Sequence, residues 1–182
     1  MSAMIQDDIL RVLLTEEQIQ ARVAELGARI TEDYKDKKPF FLGVLKGCFV
    51  FMADLMRQVP LHCMMDFMMV SSYGAGTSTT GAVRIVKDLS RNIEGLDLVI
   101  VEDILDSGVT LHYLKNYLAG RNPASIKIVT LLDKPERRRS PIVADYYGFS
   151  VPDEFVVGYG LDFAEKYRNL PYIGVLKPEV YQ

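Results

Sequence analysis

VIVEDILDSGVTL, residues 99–111, holds the pattern that decides the fold and indicates the chemistry. An apolar run typical of a buried strand ends in two adjacent acids, Glu102 and Asp103, and a third acid, Asp106, follows three positions later. A turn of small and hydroxyl residues, 107–110, then leads into a helical pattern. Carboxylates at a strand end suit sugar hydroxyls and a hard cation such as Mg²⁺, and free N–H groups where a helix begins suit a phosphate. The stretch therefore predicts a pocket for a phosphorylated sugar with magnesium.

Each part of this stretch also has an ordinary explanation. Asp106 or Ser107 could cap the following helix, and acids at strand ends are common. The combination argues against that interpretation, because two carboxylates beside a buried strand are costly unless cations or hydrogen-bond donors compensate them. We therefore favour a functional site.

The bulk properties indicate an ordinary globular protein. The chain has 182 residues, of which 49% are hydrophobic and 25% charged, so we expect a single domain over residues 1–182. Its 21 Lys and Arg against 24 Asp and Glu argue against a broad basic face, and thus against a nucleic-acid partner. We find no membrane-length apolar stretch and no leader sequence, and we interpret Cys48 and Cys63 as reduced thiols of a cytoplasmic protein.

Helical and strand-like patterns alternate along the chain. A capping box begins a helix at Thr15, and further helices are predicted after Gly47 and from Val109 to Gly120. The expected strands are 40–45, 62–70, 83–86, 97–104, 125–132 and 155–159. This alternation predicts an α/β fold with a mainly parallel sheet covered on both faces, whose ligands lie beyond the carboxyl ends of the strands. Five charged residues fall at such ends: Lys46, Glu102, Asp103, Asp106 and Lys134.

A small, polar and Gly-rich segment, 71–81, has only one aromatic residue and cannot pack into a core. It is either a linker or a mobile active-site loop, and a disordered surface loop would have the same composition. Because strand-like patterns lie close on both sides, we favour a mobile flap over about 71–84 that includes Ser72 and Tyr73.

Residues 101–110 resemble the phosphoribosyl-pyrophosphate signature of the type I phosphoribosyltransferases. Further segments occur in the order found in the hypoxanthine(-guanine) phosphoribosyltransferases, and they are 44–47, 72–73, 132–135, 152–162 and 167–170. The resemblance extends over roughly residues 15–175. It implies a mainly parallel central sheet flanked by helices, with a small hood formed by the terminal segments.

The resemblance also implies a reaction in purine salvage. It is the Mg²⁺-dependent transfer of the 5-phosphoribosyl group from phosphoribosyl pyrophosphate to N9 of hypoxanthine and guanine, giving IMP or GMP and pyrophosphate. The family commonly forms dimers or tetramers, so we expect a homodimer or homotetramer.

The family's ribose-phosphate roles carry over to the signature. Glu102 and Asp103 would accept from the ribose hydroxyls, directly or through Mg²⁺ and water. Asp106 would also reach N7 of the purine as the general base. The residues that would cradle the 5-phosphate are Asp106, Ser107, Gly108, Val109 and Thr110.

Purine recognition is assigned by the same resemblance. The Lys134 ammonium has only donors, so it suits the O6 carbonyl of hypoxanthine or guanine and leaves the amino group of adenine unmatched. Phe155 would stack on the ring, and the Val156 main chain would contact the edge near N1 and C2. Asp133 and Glu154 depart from the family pattern and bear on the preference between hypoxanthine and guanine.

Pyrophosphate binding is assigned to three residues, Lys46, Gly47 and Arg168. Asp162 is expected to border the purine site and to bind the second face of the magnesium–pyrophosphate. In the family the peptide bond that joins Leu45 to Lys46 can be cis.

Two other functions use similar residues. A regulator that senses phosphoribosyl pyrophosphate without catalysis would need a DNA-binding module or a basic face, and we find neither. A phospho-acceptor receiver domain carries its acid pair on the first strand and its acceptor acid on a later one, whereas here all three acids share one segment. Only the enzyme would release pyrophosphate from the sugar diphosphate with Mg²⁺ and hypoxanthine.

Overall fold

The computed structural model describes residues 4–72 and 83–181. Residues 73–82 of the predicted flap, which include Tyr73, lie outside this range. The mobile flap therefore stays a prediction. Ser72 is the last residue of a strand.

Nine strands and four α-helices are found in the described residues. The strands are β1 (Ile9–Leu14), β2 (Phe40–Leu45), β3 (Met64–Ser72), β4 (Val83–Lys87), β5 (Asp97–Leu105), β6 (Ser125–Asp133), β7 (Tyr146–Ser150), β8 (Val156–Val157) and β9 (Ile173–Leu176). The helices are α1 (Glu16–Asp33), α2 (Phe49–Arg57), α3 (Val109–Ala119) and α4 (Pro178–Tyr181). As predicted, Thr15 caps α1, with a capping box to Gln18.

Six strands form the central sheet in the order β4-β3-β2-β5-β6-β7. Four of its five neighbouring pairs are parallel, and only β4 runs antiparallel, against β3. Leu105 pairs with Asp133 at the carboxyl ends of β5 and β6, so the residues that follow the two strands emerge side by side. The register thus brings the segment after Leu105 next to Lys134.

The sheet separates two hydrophobic cores, because side chains along a strand alternate between its faces. Phe41, Val99 and Val101 pack with α1 and α2 on one face. The neighbouring positions, including Leu98 and Ile100, pack with α3 on the other. The mainly parallel α/β sheet covered on both faces is confirmed.

A second, antiparallel sheet of order β1-β9-β8 joins segments near both ends of the described chain, as the predicted hood requires. The sequence prediction of a strand over 155–159 was wrong in extent: only Val156 and Val157 are extended in a sheet, and that sheet is the hood. The strand ends there because Gly158 and Tyr159 have positive φ, of 101° and 50°. The sixth strand of the central sheet is β7, which the sequence reasoning missed because only a single 3-10 turn, Pro135–Arg137, and no α-helix separates it from β6 among the described residues.

Within the described residues, no helix combines the length and the apolar character needed to cross a membrane.

Candidate active site

The carboxyl ends of β2 and β5 meet at Gly47. The Leu45–Lys46 peptide before it is cis, as it can be in the family that the sequence resembles. A Cβ on Gly47 would lie 1.7 Å from Oδ2 of Asp103, so the backbone after β2 packs directly against this carboxylate. Only a residue without a side chain fits such a close approach.

The acids Glu102 and Asp103 lie near the end of β5, and within residues 4–72 and 83–181 neither forms a salt bridge. Burial and the neighbouring Asp103 charge raise the pKa of Glu102 well above its usual value. Burial also raises the pKa of Asp103, although its hydrogen bonds, among them the Ile104 N–H at 2.8 Å, and to a smaller extent the Arg168 charge oppose the change. The nearby cations pair with other acids instead: Lys134 with Asp153, Arg137 with Asp106 and Arg168 with Asp162.

These two carboxylates fit a bound Mg²⁺, which would supply the missing positive charge through the oxygen ligands that it prefers. In the described part of the chain, no group of three acids, histidines or cysteines is close enough to hold a metal. Asp162, the other predicted ligand, pairs with Arg168 at 3.0 Å and accepts from the Glu165 N–H at 2.9 Å. The two carboxylates would leave the other ligand positions of Mg²⁺ to water and substrate oxygens, which is how this ion is usually bound.

The turn between β5 and α3 forms the second part of the site. Gly108 precedes the helix with a φ of 77°, a conformation that favours glycine. Arg138 donates to the Asp106 carbonyl at 2.5 Å, and the Arg139 N–H donates to the Ser107 carbonyl at 2.9 Å. With its carbonyls bound from outside, the turn leaves the N–H groups at the start of α3 available for an anion.

A cavity of about 230 Å³ lies over this turn. Its lining includes the acid pair, the phosphate-type turn and the end of β2, through Leu45, Glu102, Asp103, Ser107, Gly108 and Thr110. The structure therefore brings the predicted sugar-phosphate residues around one space, with the exception of Val109, which does not line the cavity.

A second cavity, of about 350 Å³, lies on the other side of Asp106 and Ile104, which line both. The other residues that line it come from the segment after β6, from the segment that leads into β8 and from α4. They are Lys134, Arg137, Asp153, Glu154, Phe155, Val156 and Tyr181. Ile104, Arg137, Asp153 and Tyr181 were missed at the sequence level. Ile104 could have been found from the sequence, because it lies between the acids of the motif. The other three residues lie in segments whose sequence shows no pattern that points to this cavity.

Lys134 is the buried cation of this second cavity. It is only 7% exposed, and its Nζ donates to the Glu154 carbonyl at 2.7 Å and lies 3.7 Å from Oδ1 of Asp153. An ammonium has three donors, so it retains capacity for an acceptor in the cavity. Phe155, at 38% exposed, presents its ring to the same space.

Arg137 connects two of the three acids that line this cavity, Asp106 and Asp153. Its Nε lies 2.8 Å from Oδ1 of Asp106, and its Nη1 donates to Oδ1 of Asp153 at 3.0 Å. Together with Lys134, these residues form a row of alternating charges along the cavity wall. The Asp106 Oδ1 atom is buried, and among the described residues its ion pair with Arg137 lacks the geometry of a hydrogen bond.

The third predicted group, the pyrophosphate residues, lies beyond the acid pair. Lys46 Nζ binds Glu165 at 2.9 Å, and Arg168 contacts Asp162 at 3.0 Å and Glu165 at 3.5 Å. The hydrogen bond from Lys46 is the main cause that lowers the pKa of Glu165. Two cations that share Glu165 are thus present, and each is paired with an acid of the chain.

Comparison with known proteins identifies this arrangement. A family profile described as the phosphoribosyl transferase domain matches residues 12–164, which is more than half of the chain. The chain belongs to the phosphoribosyltransferase family. It is 58% identical over 179 residues to the hypoxanthine-guanine phosphoribosyltransferase of Bacillus subtilis, covering 98% of this chain and 99% of that protein.

Other relatives agree. The hypoxanthine-guanine phosphoribosyltransferase of Streptococcus pyogenes is 52% identical, over 98% of this chain and 99% of the relative. A crystal structure of a hypoxanthine phosphoribosyltransferase from Staphylococcus aureus superposes with a TM-score of 0.96 at 53% identity, over 100% of this chain and 99% of that one. The family resemblance, the type I phosphoribosyltransferase fold and the transferase class predicted from the sequence are confirmed.

Within this phosphoribosyltransferase fold, a buried hydrogen-bond network anchors the loop that carries Asp162 and Arg168. Asp54 on α2, 9% exposed, accepts from the Tyr159 hydroxyl at 2.5 Å, from Gln20 at 2.9 Å and from Arg57. Burial raises the pKa of Asp54, but these hydrogen bonds outweigh it and lower the pKa overall. The sequence had no signal for this network, because Tyr159 and Asp54 are 105 positions apart.

The two acids that depart from the family pattern are both paired with arginines. Asp133 binds Arg138, and Glu154 binds Arg11 of the hood strand β1. Neither carboxylate is therefore an uncompensated charge beside the second cavity.

Proposed function

We propose that this chain transfers the 5-phosphoribosyl group of phosphoribosyl pyrophosphate to N9 of hypoxanthine or guanine, giving IMP or GMP and pyrophosphate in purine salvage. The observation that carries the proposal is the pair of adjoining cavities that share Asp106 and Ile104. One cavity is bounded by acids and a phosphate-type turn, and the other contains a buried lysine and an aromatic ring. A sugar phosphate and a base held in these two spaces would meet at Asp106.

In the sugar cavity, we assign the ribose hydroxyls to Glu102 and Asp103. The N–H groups of the turn from Asp106 to Thr110, with the hydroxyls of Ser107 and Thr110, would bind the 5-phosphate. The start of α3 favours an anion at this point, because its first N–H groups have no partners within the helix.

Glu102 and Asp103 would hold Mg²⁺, and Asp162 would help to bind the magnesium–pyrophosphate. When bound, the ion offsets the negative charge that grows on the leaving pyrophosphate. The raised pKa values of the two buried acids support this assignment, because a cation would make their ionised forms favourable.

In the base cavity, Asp106 would accept the proton from N7 and so increase electron density at N9, the atom that attacks the sugar. Lys134 would donate to O6, and this contact would discriminate against adenine, which has an amino group there. Phe155 would stack on the ring, while the Val156 main chain and Asp162 would border its other edge.

Lys46, the Gly47 backbone and Arg168 would bind the pyrophosphate. Lys46 and Arg168 would then exchange Glu165 for the ligand, since both contact this carboxylate in the free chain. Ser72 and Tyr73 would belong to a flap that excludes water from the reacting sugar.

We expect a homodimer or homotetramer with a subunit contact near the Lys46 loop. Phe49, at the start of α2 and 44% exposed, provides an apolar surface for such a contact. We also expect a cytoplasmic location, because Cys48 and Cys63 are unpaired thiols of the kind that reducing compartments maintain.

The reaction is tested with labelled phosphoribosyl pyrophosphate, Mg²⁺ and a panel of hypoxanthine, guanine, xanthine and adenine. We expect release of pyrophosphate and formation of the nucleotide with the first two bases. Hydrolysis without nucleotide formation, or equal rates with adenine and hypoxanthine, would contradict the proposal.

The role of Asp106 is tested by Asp106→Asn, which keeps the size of the side chain and removes its basicity. We expect kcat with hypoxanthine to fall roughly 10²–10⁴-fold, the usual contribution of a general base. Asp88→Asn is the matched control, since Asp88 pairs with Arg121 outside both cavities. An unchanged kcat in the Asp106 variant would rule out this role.

A further inference from the structure

The last helix of the described chain carries a residue that reaches the base cavity. Tyr181 ends α4 and lines the same cavity as Asp106, Lys134 and Phe155. It follows Asp106 by 75 positions, and no motif of the sequence analysis includes it. No role for its ring therefore follows from the sequence.

The Tyr181 ring is stacked on Phe155. Their centroids lie 4.7 Å apart with an interplanar angle of 18°, within the range of an offset stacked pair. The Phe163 ring meets Phe155 edge-on at 5.5 Å and lies 6.5 Å from Tyr181. These three separations form a triangle with a nearly right angle at Phe155. Phe163 therefore cannot lie over the face of Phe155 that is opposite Tyr181.

The hood holds Tyr181 in this position. The Lys177 N–H donates to the Asp8 carbonyl at 2.9 Å, and the Leu176 N–H donates to the Phe155 carbonyl at 2.9 Å. The Tyr181 side chain then packs on the small apolar cluster of the hood, which includes Val157 and Leu176. The backbone that carries Phe155 and the backbone that leads to Tyr181 are thus tied together directly.

The cavity has room for a ligand while Tyr181 is in place. Its volume of about 350 Å³ lies within the range of about 300–1,000 Å³ that is usual for small-molecule sites. Phe155 remains 38% exposed although Tyr181 covers one of its faces. A base can therefore use the remaining face of Phe155 without displacing Tyr181.

We propose that Tyr181 is a positioning residue for the purine: its ring supports one face of Phe155 and fixes the plane of that ring, so that the opposite face stacks on the base. This inference rests on the proposed function, and in particular on the stacking role of Phe155. Tyr181 acts through Phe155 and leaves the sugar cavity unaffected.

The test is a double-mutant cycle with Tyr181→Ala, Phe155→Leu and the double variant, measured as KM for hypoxanthine and for phosphoribosyl pyrophosphate. We expect Tyr181→Ala to raise the KM for hypoxanthine roughly 3–10-fold, the scale of one aromatic pair, and to leave the KM for phosphoribosyl pyrophosphate within about twofold. In the Phe155→Leu background, the same change should add less than about twofold, because its partner is gone.

Further variants separate this role from general stability. Tyr181→Phe should have the KM of the parent enzyme, since it keeps the ring. If Tyr181→Ala does not fold, Tyr181→Leu takes its place and should show the same rise in the KM for hypoxanthine. Tyr113→Ala is the matched control, because Tyr113 stacks on Tyr117 at 6.2 Å on α3. It should leave both KM values unchanged.

The inference and the proposed function fail in different ways. A parent enzyme that forms no nucleotide from hypoxanthine would overturn the proposed function. An active parent enzyme with an unchanged KM for hypoxanthine in Tyr181→Ala, or with additive effects in the double variant, would overturn the inference alone.

Discussion

The two ends of the site differ in how their cations are held. At the base end, Lys134 is 7% exposed, donates a hydrogen bond to the Glu154 carbonyl and lies 3.7 Å from the Asp153 carboxylate. At the pyrophosphate end, the Lys46 side chain is 49% exposed and, like Arg168, it contacts the carboxylate of Glu165. The base end is therefore organised before ligand binding, whereas the other end must exchange one anion for another.

This difference follows from the charges of the ligands. A neutral base, as proposed for this cavity, adds no charge to it, so the donor proposed to contact O6 can be buried in advance at fixed geometry. A pyrophosphate brings several negative charges to two cations that would otherwise repel each other. Glu165 offsets this repulsion in the free chain, and the exposed pair is weak enough to be replaced.

Among the variants that test this difference between the two ends of the site, Gly47→Ala is expected to have the largest effect. The new Cβ would lie 1.7 Å from Oδ2 of Asp103, so either the loop or the acid must move. Because a misplacement of about 1 Å can cost about 10²-fold, we expect kcat/KM for phosphoribosyl pyrophosphate to fall by about that factor.

The KM for hypoxanthine should change little in this variant. Gly120→Ala serves as the control, since its Cβ would approach other atoms no closer than 3.5 Å. If the KM values for both substrates rose equally, the two ends of the site would not bind their substrates independently.

At the base end, Lys134→Met keeps the buried aliphatic stem and removes the donor. We expect kcat/KM for hypoxanthine to fall roughly 10–100-fold, the scale of one charged hydrogen bond, while the value for adenine changes little. The preference for hypoxanthine should therefore narrow.

Steady-state kinetics with both bases measures this preference. Lys127→Met is the control on the same strand, because Lys127 pairs with Asp145 away from both cavities. A preserved ratio of the two bases would mean that another group reads O6.

Tyr159→Phe should weaken the scaffold of the pyrophosphate end. Loss of the hydrogen bond to the Asp54 carboxylate should lower the free energy of unfolding by about 1.5–3 kcal/mol at neutral pH. Because the pKa of Asp54 is lowered in the folded chain, its stabilisation is present above its usual pKa of 3.8 and is lost as the pH falls through the lower folded value. The difference between the parent and the variant should thus shrink in acid.

Urea unfolding at pH 7 and below pH 4 measures this dependence. Tyr34→Phe is the matched control, since the buried Tyr34 hydroxyl has no hydrogen-bond partner among the described residues. A difference that is independent of pH would indicate that Asp54 is not the relevant partner.

The smallest effect is expected from Glu165→Gln. Removing the carboxylate frees Lys46 and leaves Arg168 paired with Asp162 alone, so the KM for phosphoribosyl pyrophosphate should fall about 2–5-fold, as for other exposed pairs, and less at high salt. Glu32→Gln, which breaks an exposed pair with Lys35, is the control. A rise in KM would show that Glu165 assists binding and does not compete with it.

Local patterns were sufficient for much of the fold. The strand before Glu102, the turn after Asp106 and the capping box at Thr15 each lie within a few residues, and the structure contains all three elements. The parallel sheet followed from the alternation of these elements. The charged residues after β2 and β6 could therefore be assigned to one edge of the sheet before their neighbours were known.

Contacts between distant segments were beyond such patterns. Strand β7 follows a 3-10 turn instead of an α-helix, and β8 is too short to be recognised by periodicity. Arg137 beside Asp106 and Tyr181 on Phe155 depend on how loops and the hood return to the sheet. No periodic signal accompanies contacts of this kind, because only one side chain on each segment takes part.

The amino-acid sequence by itself determined the chemistry of the site: its acids, its turn and its buried lysine are written into short segments whose local geometry carries over into the fold. The tertiary structure alone decided which of these groups are paired in the free chain, with Lys134 between the Glu154 carbonyl and Asp153, and Lys46 on Glu165. The physical reason is that charge and ring pairing act across space, between residues whose separation along the chain holds no information about their distance.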